Sequence, residues 1–182
     1  IFSALAATQL PKIKVDAAAE GMMIRGDEDH KYYLETLDKF GTDNITVVFL
    51  KDKDLFTPER LAAVEDIHYS LRSKPWVSKV DSIFSVTNFK GIDGKLHTNP
   101  LIDRVPGSYE EAQEIKTDAI RNPVIENNLV STDGQKMAIT IYIEKTDDPD
   151  LNVTIQNEVG EFVEKYRDQF DEIFNIGNPN TK

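Results

Sequence analysis

The feature that most constrains this chain is a strand, a helix and a second strand written in order between residues 45 and 86. Ile45-Thr-Val-Val-Phe-Leu50 is a short apolar, β-branched run bounded by Asp43-Asn44 and the Lys51-Asp-Lys-Asp54 cluster, and it reads as a buried strand. Thr57-Pro58-Glu59 then supplies an N-cap, a proline at the first helical position and an acid that suits the helix dipole. Leu61, Val64, Ile67 and Leu71 recur every three or four residues, so one stripe faces a core, and a helix near 58–73 stops before Pro75. Strand character resumes over 77–86, where Val80 sits amid polar neighbours with Ile83, Phe84 and Val86 behind it. The three elements make one βαβ unit.

A second unit follows towards the C-terminus. Val124 to Ile143 reads as two strands around Asp133-Gly134, a dipeptide that supplies positive φ for a type I′ hairpin turn. Ile139, Ile141 and Ile143 share one face while Thr140 and Tyr142 share the other. After the break at Asp147-Asp-Pro149, a long helix near 153–170 presents Ile155, Val159, Phe162, Val163, Tyr166 and Phe170, and Glu172-Ile-Phe-Asn-Ile176 closes as a short strand. Three further segments complete the pattern. A helix over 27–40 carries Tyr32, Tyr33, Leu37 and Phe40, capped by Asp27 and stopped by Gly41. Residues 87–106, with Gly91, Asp93-Gly94, Pro100 and Pro106, read as loop. Ser108-Tyr-Glu-Glu111 matches the capping box of a helix that runs to Arg121, before Asn122-Pro123.

Two βαβ units without an exact repeat predict an α+β fold, the ferredoxin-like βαββαβ sandwich, with two helices on one face of a four-stranded antiparallel sheet. Its strands lie near 45–50, 77–86, 136–144 and 172–176, and a helix- and hairpin-containing insertion, about 87–135, separates the halves. In this topology the first and fourth strands are antiparallel neighbours. The start of one and the end of the other therefore share an edge, and the insertion leaves from the opposite edge. Ile13 to Val15 is expected as an extra strand or extended segment.

Charge and composition remove several function classes. A chain of 182 residues is about one domain by the length prior. Its 21 Lys and Arg against 32 Asp and Glu give a formal net charge of -11, which repels phosphate backbones and offers no basic patch for anionic lipids. The absence of cysteine excludes disulfides, thiolate nucleophiles and Cys-bound zinc. Residues 1–10 are apolar and uncharged, lack a basic segment in front, and fall short of the about 20 residues that span a bilayer.

The residues that carry chemistry elsewhere are scattered here. His30, His68 and His97 stand on three different predicted elements with no His-x-x-x-His or Glu-x-x-His spacing, and His68 reads as filler on a helix flank. Asp52/Asp54, Asp147/Asp148/Asp150 and Glu110/Glu111 are clustered acids that suit turns and helix starts. Calcium at Asp147 to Asp150 is the functional alternative, although no EF-hand pattern surrounds it. Gly91-Ile-Asp-Gly94 is a turn without the following helix that a phosphate cradle requires. Trp76 reads as packing over a sheet end before ligand stacking, and Met22-Met23 as a plug at a core edge. No phosphate loop, nucleophile elbow or kinase signature is present, so no catalytic, cofactor-binding or metal residue is assigned.

Taken in order, a series of short motifs resembles one family. They are Leu10-Pro11 with Lys-Ile-Lys-Val-Asp, Gly26-Asp-Glu-Asp before a helix ending Phe40-Gly41, Leu55-Phe-Thr-Pro-Glu59 and Val77-Ser-Lys-Val-Asp-Ser82. Arg121-Asn-Pro123, Leu129-Val-Ser-Thr-Asp-Gly134 and Ile176-Gly-Asn-Pro179 continue the series, which covers nearly the whole chain. The chain resembles the first extracytoplasmic loop of resistance-nodulation-division (RND) exporters of the MmpL and hopanoid-transporter type. Trp76 departs from the pattern, since such loops commonly carry glycine in that turn.

The resemblance implies a porter domain over 11–176 on the extracytoplasmic, periplasmic side of the cell membrane. Residues 1–10 would be the outer end of one transmembrane helix, and 177–182 the start of the connection to the next. The implied role is to help bind and pass hydrophobic or lipid-like substrates. The implied partners are the second porter domain and the transmembrane helices of the same full-length chain, with a homo-oligomer or an accessory envelope protein as further classes and no nucleic acid. The family's proton-coupling acids lie in transmembrane helices outside this stretch. Its pockets form between subdomains, so no substrate-lining residue carries over. The alternative is an extracytoplasmic interaction or scaffold domain without a substrate path; a hydrolase or metal-dependent enzyme ranks last.

Overall fold

Asp27 starts the first helix, as its position predicts. Its carboxylate accepts the N–H of His30 at 2.7 Å, and α1 runs Glu28–Phe40 with Glu28 and Asp29 in the first turn and Lys39 in the last, the charge order a helix dipole favours. The computed structural model describes residues 26–40, 44–92, 95–144 and 149–177. The chain divides into two units, Ile1–Gly41 with Pro179–Lys182, and Thr42–Asn178; α1 is the described part of the first. The expectations for residues 1–10, Ile13 to Val15, Met22-Met23, Asp147, Asp148 and 178–182 fall outside the described residues.

The second unit holds β1 (Ile45–Lys51), α2 (Pro58–Arg72), β2 (Val77–Asp81), β3 (Thr87–Ile92), β4 (Lys95–Pro100), α3 (Tyr109–Arg121), β5 (Lys136–Ile143), α4 (Pro149–Glu164), a 3₁₀ turn at Arg167–Gln169 and β6 (Glu172–Gly177). Four strands form one sheet in the order β2-β5-β1-β6, with every neighbouring pair antiparallel. β1 is central because both its faces are apolar, and Val48 lies opposite Ile139 on one side and Asn175 on the other.

Side chains alternate across a strand, and here they alternate in burial. Val48, Leu50, Met137, Ile139, Ile141, Ile143 and Ile173 are all buried on one face. The helices lie against that face. Thr57 accepts the Arg60 N–H to cap α2, and the predicted stripe Leu61, Val64, Ile67 and Leu71 is buried. From α4, Ile155, Val159 and Val163 enter the core, while the Gln156 amide donates to Thr46 Oγ1 at 2.5 Å. Just past α4, the Tyr166 hydroxyl donates to Asp66 of α2 at 2.5 Å and ties the two helices together. Burying each large aliphatic side chain contributes about 1.5–3 kcal/mol. At Gly177 a Cβ would sit 2.2 Å from Gln156 Oε1, so glycine is what lets that amide reach Thr46.

The register fixes the poles of the sheet. Thr46 faces Gly177 at one end, while Lys51 faces both Lys136 and Glu172 at the other. The chain enters β1 and leaves β6 at the first pole. β2 runs towards the second pole but ends at Asp81, opposite Thr140 and so level with Val47, whereas the chain re-enters the sheet at Lys136, at the second pole itself.

Five expectations need correction. The strand expected over 77–86 ends at Asp81, because the Ser82 side chain accepts the Phe84 N–H at 3.1 Å and folds the chain into a turn that still buries Ile83 and Phe84. The loop expected over 87–106 contains the β3/β4 hairpin, with Ile92 opposite Lys95. The first strand expected around Asp133-Gly134 is absent as a regular strand. Asn127 adopts φ 60°, the segment 122–130 coils on itself, and only Val130 bridges to Met137. The turn itself is a four-residue link in place of type I′: the Ser131 N–H donates to the Lys136 carbonyl at 3.0 Å, and Gly134 alone takes positive φ. The helix expected over 153–170 starts at Pro149 and ends at Glu164. Bonds from the Lys165 and Tyr166 N–H to the carbonyls three residues earlier tighten the chain there, yet Tyr166 and Phe170 remain in the core.

Candidate functional site: the open face of the sheet

The residues that alternate with the buried ones form the other face of the sheet. β1 contributes Ile45, Val47 and Phe49, and β5 contributes Ala138, Thr140 and Tyr142. β6 contributes Phe174 and Ile176, which are 42% and 58% exposed. Register sets them in rows: Phe174 beside Phe49 beside Ala138, and Ile176 beside Val47 beside Thr140. The Phe49 and Phe174 rings meet with centroids 4.9 Å apart. Large apolar side chains exposed side by side are the pattern that marks an interaction surface, whereas a single exposed one means nothing.

Charges border this apolar strip. At the insertion pole Lys51 pairs with Glu172. At the β2 edge the Lys79 ammonium lies 5.2 Å from the centre of the Tyr142 ring and 2.8 Å from Asp81. The hydrogen bond to Asp81 raises the Lys79 pKa and keeps the ammonium charged, while burial and then the nearby Asp81 raise the Tyr142 pKa and keep the phenol neutral. Chemically the face offers hydrophobic contact over its middle and a cation, a carboxylate and a phenol at its border. It has no nucleophile next to a base.

The residues singled out in the sequence do not converge. His30 lies at the start of α1, where its Nδ1 accepts the Gly26 N–H at 3.4 Å. His97 lies in β4 of the two-stranded sheet, whereas His68 lies in the helix α2. Asp52 is buried and holds Arg60 Nε at 2.9 Å and the Asp54 N–H at 2.7 Å, so it fixes the link from β1 to α2. Ser108 caps α3 as expected, its hydroxyl accepting the Glu111 N–H at 3.2 Å, while Glu111 folds back one residue further than the capping box predicts: its Oε2 accepts the Gly107 N–H at 2.8 Å, and Oε1 accepts Arg104. Glu110 is exposed. Trp76 packs partly buried against the core, with its indole N–H donating to Glu158 at 3.1 Å. Gly91 pairs with Leu96 inside the hairpin, and Asp150 falls in the first turn of α4. Among the described residues no three His, Cys, Asp or Glu side chains group to hold a metal ion.

One pair has the outline of a catalytic dyad. His68 is buried rather than at the helix flank, and its Nδ1 lies 2.9 Å from Ser82 Oγ. Both residues are sealed in the core, Ser82 at 0% exposure, and no substrate carbonyl could reach the hydroxyl.

Sequence reasoning missed the open face because it read residues 45–50 as buried throughout. The signal was there: Val47, Phe49, Phe174 and Ile176 are apolar at the alternate positions too, which a half-solvated strand seldom needs. Among the described residues no helix is long and apolar enough to cross a membrane. The chain matches no protein-family model and no curated protein.

Proposed function

We propose that this chain is an extracytoplasmic porter domain of a proton-driven RND-type membrane exporter, contributing to the binding and passage of hydrophobic or lipid-like substrates. The observation that carries the reading is the open face: a sheet covered by helices on one side exposes an apolar strip across β6, β1 and β5 on the other. A domain that forms half of a hydrophobic passage needs such a wall, with a second domain or an amphiphile to complete it. The shared pole of β1 and β6 supports the same reading, since a loop between two consecutive membrane helices must begin and end on one side. The strand order β2-β5-β1-β6 with α2 and α4 on one face supports taking the core as the ferredoxin-like sandwich, and the segment from Ser82 to Gln135 as its insertion.

The test is a thermal-shift panel on the 182-residue chain. Short-chain phospholipids and detergents should raise the melting temperature in a concentration-dependent way, with weak affinity because half the wall is missing. A response to sugars or nucleotides and none to amphiphiles contradicts the reading. Silence to every small molecule moves the assignment to the alternative, a docking or scaffold domain that uses the same apolar face.

A further inference from the structure

The buried His68 takes no part in the open face, and its ring meets the hydroxyl of Ser82. Ser82 Oγ accepts the Phe84 N–H at 3.1 Å and has one proton of its own, which it can give to the nearby His68 Nδ1 at 2.9 Å. With Ser82 as the donor the ring is neutral and carries its proton on Nε2, which has no partner among the described residues. Ser82 also organises the turn that follows β2. Its carbonyl accepts the N–H groups of Ser85 and Val86 and the Ser85 hydroxyl, and its own N–H donates to Ser85 Oγ. Val86 in turn accepts the Leu101 N–H, and β3 begins at Thr87. One hydroxyl thus joins α2 to the point where the insertion leaves the sheet.

We propose that His68 is an acid-sensitive latch that holds the turn at residues 82–86, and with it the base of the β3/β4 hairpin, on α2. Protonation makes both ring nitrogens donors. Nδ1–H must then donate to Ser82 Oγ in place of accepting from it, the Ser82 proton must turn away, Nε2–H still lacks an acceptor among the described residues, and a cation sits in an apolar core. Arg72 of the same helix adds repulsion, the Asp81 carboxylate at the end of β2 partly offsets it, and the rings of Tyr69 and Phe84 pack around the imidazole. Opening the turn relieves the charge. Burial, then Arg72, hold the ring's pKa below its ordinary 6.5 in the closed state. The latch is accordingly whole above the ordinary value. As pH falls below about 6.5 the opening constant rises, by up to about tenfold per pH unit, until the lowered closed-state value is passed.

Two measurements on the unmodified 182-residue chain test this. Ring-nitrogen NMR should show the Nε2–H tautomer at neutral pH and a titration below that of a free histidine. Hydrogen exchange, corrected for its intrinsic pH dependence, should show protection of the Phe84, Ser85 and Val86 amides falling up to about tenfold per pH unit below about 6.5, with a smaller change in the β1/β5 ladder. In His68→Phe that pH response should vanish. An Nδ1–H tautomer, a titration at or above the ordinary value, loss of ladder protection in parallel with the turn, or an unchanged response in His68→Phe would each overturn the latch. If His68→Phe does not fold, the wild-type titration and exchange decide alone.

Discussion

The two faces of the sheet are built from the same strands and differ by one residue of register, yet they obey different rules. On the helix side Val48, Ile139 and Ile141 are fully buried. On the open side Phe49 shares its ring contact with Phe174, and Ile176 is more than half exposed. The difference separates what holds the fold together from what the domain has left to offer a partner. Aliphatic residues on the first face contribute through removal from water and close packing; those on the second keep much of that free energy in reserve for binding.

The largest expected effect tests the first face. Ile141→Ala opens a cavity among residues that cannot all collapse into it and should cost about 2–5 kcal/mol. Val47→Ala, one strand away on the open face, should cost clearly less in the same denaturant titration. Equal losses would mean that the two faces are equally committed to folding.

A smaller effect concerns the tie between the helices. Tyr166→Phe removes the hydrogen bond to the Asp66 carboxylate and should cost about 1–2 kcal/mol. Burial, then the bond to Asp66, lift the Tyr166 phenol from its ordinary 10.0 to about 12. A raised acid pKa means that the unfolded chain loses its proton first. Stability is therefore whole below pH 10 and should fall as pH climbs from there towards 12, a decline that calorimetry should find reduced in Tyr166→Phe.

The smallest effect on stability should come from the pair Phe174→Ser and Ile176→Ser, at about 1 kcal/mol or less, because both side chains are already largely in water. Their effect on amphiphile binding should be large. A double variant that binds as well as the wild type would remove the open face from the proposed function.

The comparison also explains which parts of the molecule were legible in the sequence. The four sheet strands and both covering helices announced themselves, because a face that must be buried imposes strict spacing on its residues, as with Leu61, Val64, Ile67 and Leu71. The insertion also buries apolar residues, among them Leu101, Ile102, Ile125 and Leu129, but they recur at no regular period, so its spacing carried less information. Asp-Gly occurs at 93–94 and 133–134, and sequence reasoning placed the regular hairpin at the second. The structure places it across the first, where Ile92 meets Lys95, while Asn127 in a left-handed conformation spoils the strand that would have led into the second. Ile83 and Phe84 look like strand residues because they are buried, and burial alone does not distinguish a strand from a turn held by Ser82. His68 was unreadable for a related reason. Nothing in a helix stripe reveals which serine, 14 residues on, will meet its ring. The open face was written in the alternate positions of β1 and β6, but its meaning depends on which side the helices choose.

The central claim is that the strip across β6, β1 and β5 is a surface for amphiphiles. The most direct measurement is amide chemical-shift mapping of the chain titrated with a short-chain phospholipid kept below its critical micelle concentration. The account predicts saturable shifts confined to residues 45–49, 138–142 and 174–176, lost in the Phe174→Ser, Ile176→Ser double variant. Shifts that map instead to the solvent sides of α2 and α4, or that persist unchanged in the double variant, would contradict it.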